Sequence, residues 1–288
     1  MQKIDFLIIG AQKAGTSSLM RFLERNPEYF FVAKQECQFW SRDYKYNNPD
    51  GFAQYLSIFS EAHPNQVVGE KSPSYLASDK AAARIAQQFP KMKIIAILRD
   101  PADRAYSAHL HGHRNGALSK SLSFGKVIRN YKELKGVPYG DVISQGFYAI
   151  NLKPYYDQFP REQILIIDFA EMVTNPNKIL REVLEFLLPA ETVQNMDFDL
   201  VLPKINVARA SKYPDFVRWV RSRKYLSTST KNWISRKTFT KIPDSTMDLA
   251  DREYLDRLFA DSKRDLEQLT GKTFQWSANE IANPPGTS

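Results

Sequence analysis

Two groups of residues in this 288-residue chain have the types and spacing to hold phosphate. The first is Gly10-Ala11-Gln12-Lys13-Ala14-Gly15-Thr16-Ser17-Ser18, a glycine-bracketed loop that contains a lysine and runs into three hydroxyl residues. Backbone N–H groups of such a loop turn inward on an anion, and a helix starting at its end adds partial positive charge. The loop nearly fits the nucleoside-triphosphate pattern G-x-x-x-x-G-K-[ST]. Thr16 stands where that pattern needs lysine, and the lysine sits inside the loop at Lys13. This suits a phosphate-bearing nucleotide handled otherwise than by ATP hydrolysis. The second group is Arg99 and Ser107. A nucleoside triphosphatase commonly ends such a strand in an aspartate that holds Mg²⁺. The apolar run 93–98 ends in Arg99 instead, and a guanidinium repels Mg²⁺ but suits phosphate bidentately. If Pro101 opens a helix, Ser107 lies about two turns along it and shares a second phosphate with Arg99. A nucleotide with phosphates on both its 5′ and 3′ sides fits this pair of sites.

The elements that must position these residues are legible as alternating apolar runs and helical patterns. Strands are predicted over 4–9, 66–70, 93–98 and 163–168, and helices over 16–25, 78–88, 101–114, 146–159 and 172–187. That alternation predicts an α/β fold: one domain, a central parallel sheet with helices on both faces, and a P-loop-like phosphate-binding loop. Ligands then sit at the carboxyl ends of the strands, where Gly10, Glu70 and Arg99 all fall.

With these residues in view, the chain resembles the sulfotransferases that use 3′-phosphoadenosine 5′-phosphosulfate (PAPS). Lys13-Ala14-Gly15-Thr16-Ser17 and Arg99-Asp100-Pro101-x-x-Arg104-Ala105-Tyr106-Ser107 are similar to that family's two cofactor motifs. Glu36-Cys37-Gln38-Phe39-Trp40 resembles its E-x-x-[FY]-F segment, and Glu70-Lys71-Ser72-Pro73-x-Tyr75 its E-K-[ST]-P-x-Y segment. Gly146-x-Tyr148-x-x-x-Leu152-x-x-Tyr155 and Lys212-Tyr213-Pro214-Asp215 follow in order, and 255–276 resembles the closing helix. The variant is similar to the heparan-sulfate N-/3-O-sulfotransferase branch and its bacterial relatives.

The resemblance implies sulfuryl transfer from PAPS to a hydroxyl or amine of a glycan or small-molecule acceptor, leaving adenosine 3′,5′-bisphosphate and needing no metal. It implies that Gln12, Lys13, Ala14, Gly15, Thr16 and Ser17 hold the 5′-phosphosulfate, with Lys13 neutralising the leaving phosphate oxygen. It assigns Glu36 as general base and Lys71 to the transferring group or the acceptor. Arg99 and Ser107 take the 3′-phosphate, and Arg209, Lys212 and Tyr213 close over it. Gln35 stands where relatives often carry a second charged residue. His111, four residues after Ser107 and on the same helical face, matches a histidine near the base in the N-sulfotransferase branch; a polar residue lining the cleft is the other reading.

Composition bounds the rest. Hydrophobic residues make up 43 % and aromatics 12 %, enough for a large core. No run of about 18 apolar residues occurs, so no membrane span is expected. A strand at the N-terminus leaves no room for a signal peptide, and the one cysteine, Cys37, suits a reducing compartment; the expected location is cytoplasmic. The sulfotransferase domain is expected over 1–276, with 277–288 a flexible tail. From Lys204 to Lys241 there are six lysines and five arginines against one acid, Asp215, a local excess above the whole chain's +8. A solvated face and a wall for an anionic acceptor are both open, while no nucleic-acid module accompanies the charge. His109, His111 and His113 alternate and fan over a wide helical arc, with no cluster at metal-ligand spacing beside them. Two rival readings are a small-molecule kinase with an atypical phosphate loop, and a non-catalytic module that binds polyanions.

Overall fold

The computed structural model describes residues 4–114, 117–119, 121–135, 139–195, 209–211, 239–241 and 246–276. Contacts divide the chain into two compact units. One comprises Met1–Asp100, Phe147–Pro203 and Ser262–Ser288; the other comprises Pro101–Gly146 and Lys204–Asp261.

The first unit holds a five-stranded, wholly parallel sheet. Its strands are β1 (Phe6–Gly10), β2 (Phe30–Val32), β3 (Val67–Lys71), β4 (Lys93–Leu98) and β5 (Ile164–Asp168). Their order is β2-β3-β1-β4-β5. All four pairings are parallel, with Leu7 between Glu70 on one side and Ile94 on the other. Strands covered on both faces read as continuous apolar runs, as Phe6–Ile9 and Ile94–Leu98 do, every one of them buried. Phe6 lies opposite Gly69, and its ring occupies the space a side chain there would need, 2.5 Å from where a Cβ would stand. The sheet is flanked by α1 (Thr16–Glu24), α4 (Ala81–Gln88), α7 (Tyr148–Gln158), α8 (Phe169–Thr174) and α9 (Pro176–Leu187). Two short helices, α2 (Asp43–Tyr46) and α3 (Gly51–Ser57), fill the stretch between β2 and β3. A last short helix, α10, covers Ala190–Asn195.

The expected α/β architecture is observed. The expected helix 172–187 is two helices, because Asn175 (φ −128°, ψ 58°) leaves helical geometry before Pro176, which opens α9 at its first turn. The closing helix runs Leu249–Thr270, starting before the expected residue 255 and stopping at Gly271, whose φ of +69° ends it.

The second unit contains α5 (Pro101–Arg114), whose bounds match expectation, and α6 (Phe124–Arg129). Ion pairs Arg252–Asp103 (2.9 Å) and Arg129–Asp251 (2.8 Å) tie these helices to the start of the closing helix. Arg104, fully buried, donates to the Val142 carbonyl. A short antiparallel pair joins β6 (Arg209–Ser211) to β7 (Phe239–Lys241).

Candidate active site

The phosphate loop is built as its residue types require. β1 delivers Gly10 to the carboxyl edge of the sheet, between β3 and β4, where the strand order reverses and a crevice forms. Gly15 is the N-cap of α1 with φ +84°, and no side chain caps the helix start. Ser18 N–H donates to the Gly15 carbonyl at 2.8 Å, and no side-chain oxygen caps the Thr16 and Ser17 N–H groups of the first turn. That arrangement binds anions. Only glycine fits at position 15: a Cβ would need left-handed geometry and would sit 2.6 Å from Met172 Cε and 3.1 Å from the Phe169 ring. Lys13 also has positive φ, 72°, which turns the backbone back on itself in mid-loop.

Next to this loop stands a network that joins it to Glu36. Lys71, at the end of β3 and nearly buried, donates to Glu36 Oε1 at 2.5 Å and to Ser17 Oγ at 3.2 Å. Glu36 itself is 41 % exposed, so its carboxylate can meet a ligand from solvent. Lys71 thus touches two other expected residues, Ser17 and Glu36.

What holds Glu36 there lies one residue earlier on β3. Glu70 is fully buried, and its carboxylate accepts from Cys37 N (3.3 Å), Ser72 Oγ (3.0 Å), Tyr55 OH (3.1 Å) and Tyr75 OH (2.7 Å). Two of these partners pass the anchoring on: Ser72 Oγ accepts from Gln38 N at 3.0 Å, and Tyr75 OH from Phe39 N at 3.0 Å. Lys45 Nζ closes the segment from its other side by donating to the Cys37 carbonyl at 2.6 Å. Residues 37–39 are therefore fixed by the 70–75 segment through three consecutive backbone N–H groups. Burial pushes the Glu70 carboxyl above its usual range, and the four donors pull back against that shift. The same burial, with Glu70 beside it, pushes the Cys37 thiol well up, which leaves it an inert core group. Sequence reading quoted Glu70 within a motif and gave it no task. Its partners lie up to 33 residues away, and only the fold brings them together.

Arg99 follows β4. Its guanidinium lies over the Phe169 ring at 5.1 Å, donates weakly to the Lys13 carbonyl at 3.5 Å, and its own carbonyl accepts from Tyr148 OH at 2.8 Å. Phe169 thus touches both Arg99 and the space beside Gly15. Gln35 and Cys37, the neighbours of Glu36, line an open cleft of about 490 Å³ together with Tyr44, Asn48, Gln54 and Ser57.

In the second unit, Ser107 and His111 lie one turn apart on α5. The His111 ring meets the Tyr139 ring edge-on at 5.5 Å. His109 and His113, by contrast, face each other rather than fanning apart, because residues four apart share a helical face. Arg209 opens β6; Lys212 and Tyr213 lie outside the described residues, as do the rest of 212–238 in the basic segment and the 277–288 tail. Among the described residues, no three or more His, Cys, Asp or Glu side chains gather as a metal-binding group, and no helix is long and apolar enough to cross a membrane.

Comparison with known proteins bears on the family and the fold. A family model described as "Sulfotransferase domain" matches residues 3–271. Human bifunctional heparan sulfate N-deacetylase/N-sulfotransferase 3 is 35 % identical over 193 residues, which is 63 % of this chain and 22 % of that protein. Mouse heparan sulfate glucosamine 3-O-sulfotransferase 3B1 is 31 % identical over 184 residues, 63 % of this chain and 45 % of that protein. The chain thus spans less than half the length of these curated relatives. A crystal structure of a sulfotransferase from Alicyclobacillus acidocaldarius superposes with a TM-score of 0.69 at 26 % identity, covering 95 % of this chain and 98 % of the other. Mouse sulfotransferase SULT7A1, solved with PAP, shares the fold at 18 % identity, with a TM-score of 0.51 over 93 % of this chain and 88 % of the other.

Proposed function

The chain belongs to the sulfotransferase domain family, and from that premise we propose that it moves a sulfuryl group from PAPS to a hydroxyl or amine, with Glu36 as general base. PAPS, when bound, supplies the sulfuryl group. The residues present fit such a donor. An uncapped helix start behind Gly15 suits its 5′-phosphosulfate, and Lys13 offers a cation where charge collects on the departing phosphate oxygen. Arg99 and Ser107 take the 3′-phosphate, and Arg209, Lys212 and Tyr213 cover it. In-line displacement at sulfur, like phosphoryl transfer, is carried by positioning and charge stabilisation.

The observation that carries this reading is the double contact of Lys71. One ammonium holds both Ser17, in the phosphate loop, and Glu36. It sets the base at a fixed distance from the anion site, and its charge can follow the transferring group between them. Glu36 takes the acceptor's proton as its oxygen or nitrogen attacks. His111 is the second candidate for that proton. A glycan is the favoured acceptor. A cleft lined by Gln35 and Cys37, the chain neighbours of Glu36, carries an exposed aromatic, Tyr44, together with Asn48, Gln54 and Ser57, which suit the faces and hydroxyls of a sugar. The named activities of the heparan sulfate relatives favour the same class.

The test separates chemistry from binding. Glu36→Gln keeps the shape and removes the base, so turnover with PAPS and a glycosaminoglycan panel should fall about 10²–10⁴-fold while nucleotide affinity holds. Lys13→Ala should damage both. Full activity of Glu36→Gln at saturating acceptor would move the base elsewhere, with His111 the next to test.

A further inference from the structure

An arginine fork reads a phosphate only as precisely as the backbone beneath it is held. At Arg99 that backbone is held from the closing segment of the chain. Tyr148, buried at the start of α7, donates its hydroxyl to the Arg99 carbonyl at 2.8 Å. Its ring stacks on Trp276, with centroids 6.4 Å apart and planes 15° from parallel. Lys263, on the closing helix, lies over the same indole at 5.3 Å and pairs with the buried Asp100 carboxylate at 2.8 Å. Trp276 therefore touches both side chains that hold residues 99 and 100, one by a carbonyl and the other by a carboxylate.

Trp276 is itself fixed against the sheet. Phe274 stacks on it at 4.8 Å. Lys272 Nζ donates to the Ile166 carbonyl at 3.0 Å, and Gln275 N donates to Asp168 Oδ2 at 2.6 Å, strapping 272–276 to β5. The other Asp168 oxygen caps α8 by accepting from Ala170 N at 2.9 Å. The first residue of α8 is Phe169, the ring under the Arg99 guanidinium. One carboxylate thus joins the strap to the floor beneath the arginine, and Trp276 joins the strap to the arginine's backbone. The Lys272 and Gln275 contacts hold the segment to the sheet; those of Trp276 lead to residues 99 and 100.

We propose that Trp276 is a positioning residue for the 3′-phosphate subsite, acting through Tyr148 and Lys263 on the backbone at Arg99 and Asp100. This role rests on the reading of Arg99 as the 3′-phosphate ligand. Without the indole, the Tyr148 ring loses the plane that orients it and Lys263 regains rotamer freedom. The guanidinium then leaves its working geometry, while the 5′-phosphate loop keeps its own strand and helix. The loss falls on one phosphate.

The test titrates adenosine 3′,5′-bisphosphate and AMP into the full chain by calorimetry, because the two nucleotides differ only in the 3′-phosphate. Trp276→Ala should lower bisphosphate affinity about five- to tenfold and AMP affinity less than about twofold. Trp276→Phe keeps a stacking face and should restore most of the preference. Tyr148→Phe keeps the ring, removes the bond to the Arg99 carbonyl, and should cost about three- to tenfold in the same ratio; it carries the test if Trp276→Ala does not fold. Arg99→Ala should remove most of the preference, and adding Trp276→Ala to it should change the ratio no further. In folded Trp276→Ala, an unchanged ratio, equal losses for both nucleotides, or losses that add to those of Arg99→Ala overturn the proposal. So does an unchanged ratio in Tyr148→Phe. If Arg99→Ala itself keeps the full preference, the assignment of the 3′-phosphate fails first, and the role of Trp276 falls with it.

Discussion

Replacing Glu70 by glutamine tests whether the placement of Glu36 depends on a residue that never meets substrate. The change is nearly isosteric, so packing is kept. One carboxylate oxygen accepts from Tyr55 and Tyr75, the other from Cys37 N and Ser72. An amide NH₂ in the second position faces the Ser72 hydroxyl, which can rotate, and the Cys37 N–H, which cannot. In the flipped orientation it faces two phenols that already accept from Trp40 Nε1 and Phe39 N. Either way a buried donor is orphaned, at about 1–3 kcal/mol. Removing a charge whose burial is itself unfavourable offsets part of this. The net expectation is a stability loss of about 1–2 kcal/mol by urea denaturation. Slackening of residues 37–39 should cost more in rate, since about 1 Å of misplacement can cost 10²-fold. Turnover should fall roughly 10- to 100-fold while calorimetric affinity for adenosine 3′,5′-bisphosphate stays at the wild-type value. Unchanged turnover in a folded Glu70→Gln protein would refute the claim that this network positions the base, and equal losses in turnover and nucleotide affinity would assign it to general integrity.

Two further outcomes follow from the geometry. Gly15→Ala forces a side chain into left-handed backbone and against Phe169, the ring beneath Arg99, so stability should drop about 1–2 kcal/mol and nucleotide affinity should fall with it; calorimetry on the folded variant checks this. His109 binds its proton near pH 4 when folded and near 6.5 when unfolded, so the unfolded chain holds more protons between those values. Stability should therefore rise from pH 4 to 6.5 and be lost as pH falls through that window, by at most about 3.4 kcal/mol, and urea midpoints should show a flatter profile for His109→Phe.

Most of the sheet and half of the site were legible in the sequence, for local reasons. Buried parallel strands are continuous apolar runs, and a loop bracketed by Gly10 and Gly15 announces its turn. α5 was bounded correctly because Pro101 marks its start. β2 was missed because three residues at a sheet edge, Phe30–Val32, carry no period. The break at Pro176 was overridden by an apolar pattern that continues across it. Glu36 and Lys71 were named from the family resemblance, and their contact follows from where β3 ends. Glu70 was not, because two of its four donors, Cys37 and Tyr55, lie 33 and 15 residues away, and in sequence it looks like any other strand glutamate. His109 and His113 were read with His111 as an alternating set. The distance between them and the Leu122 carbonyl beside them are properties of the folded turn, which spacing alone does not encode.

The most direct measurement is a calorimetric comparison of three nucleotides on the wild-type chain and on Arg99→Ala. The account predicts that adenosine 3′,5′-bisphosphate binds without metal and far more tightly than AMP, and that ATP gains nothing from Mg²⁺. In Arg99→Ala the preference over AMP should shrink by about 1.5–3 kcal/mol, the worth of a charge-assisted bond. Equal affinity of the wild type for the bisphosphate and AMP, or a Mg²⁺-dependent preference for ATP, would contradict the two-phosphate site from which the whole reading starts.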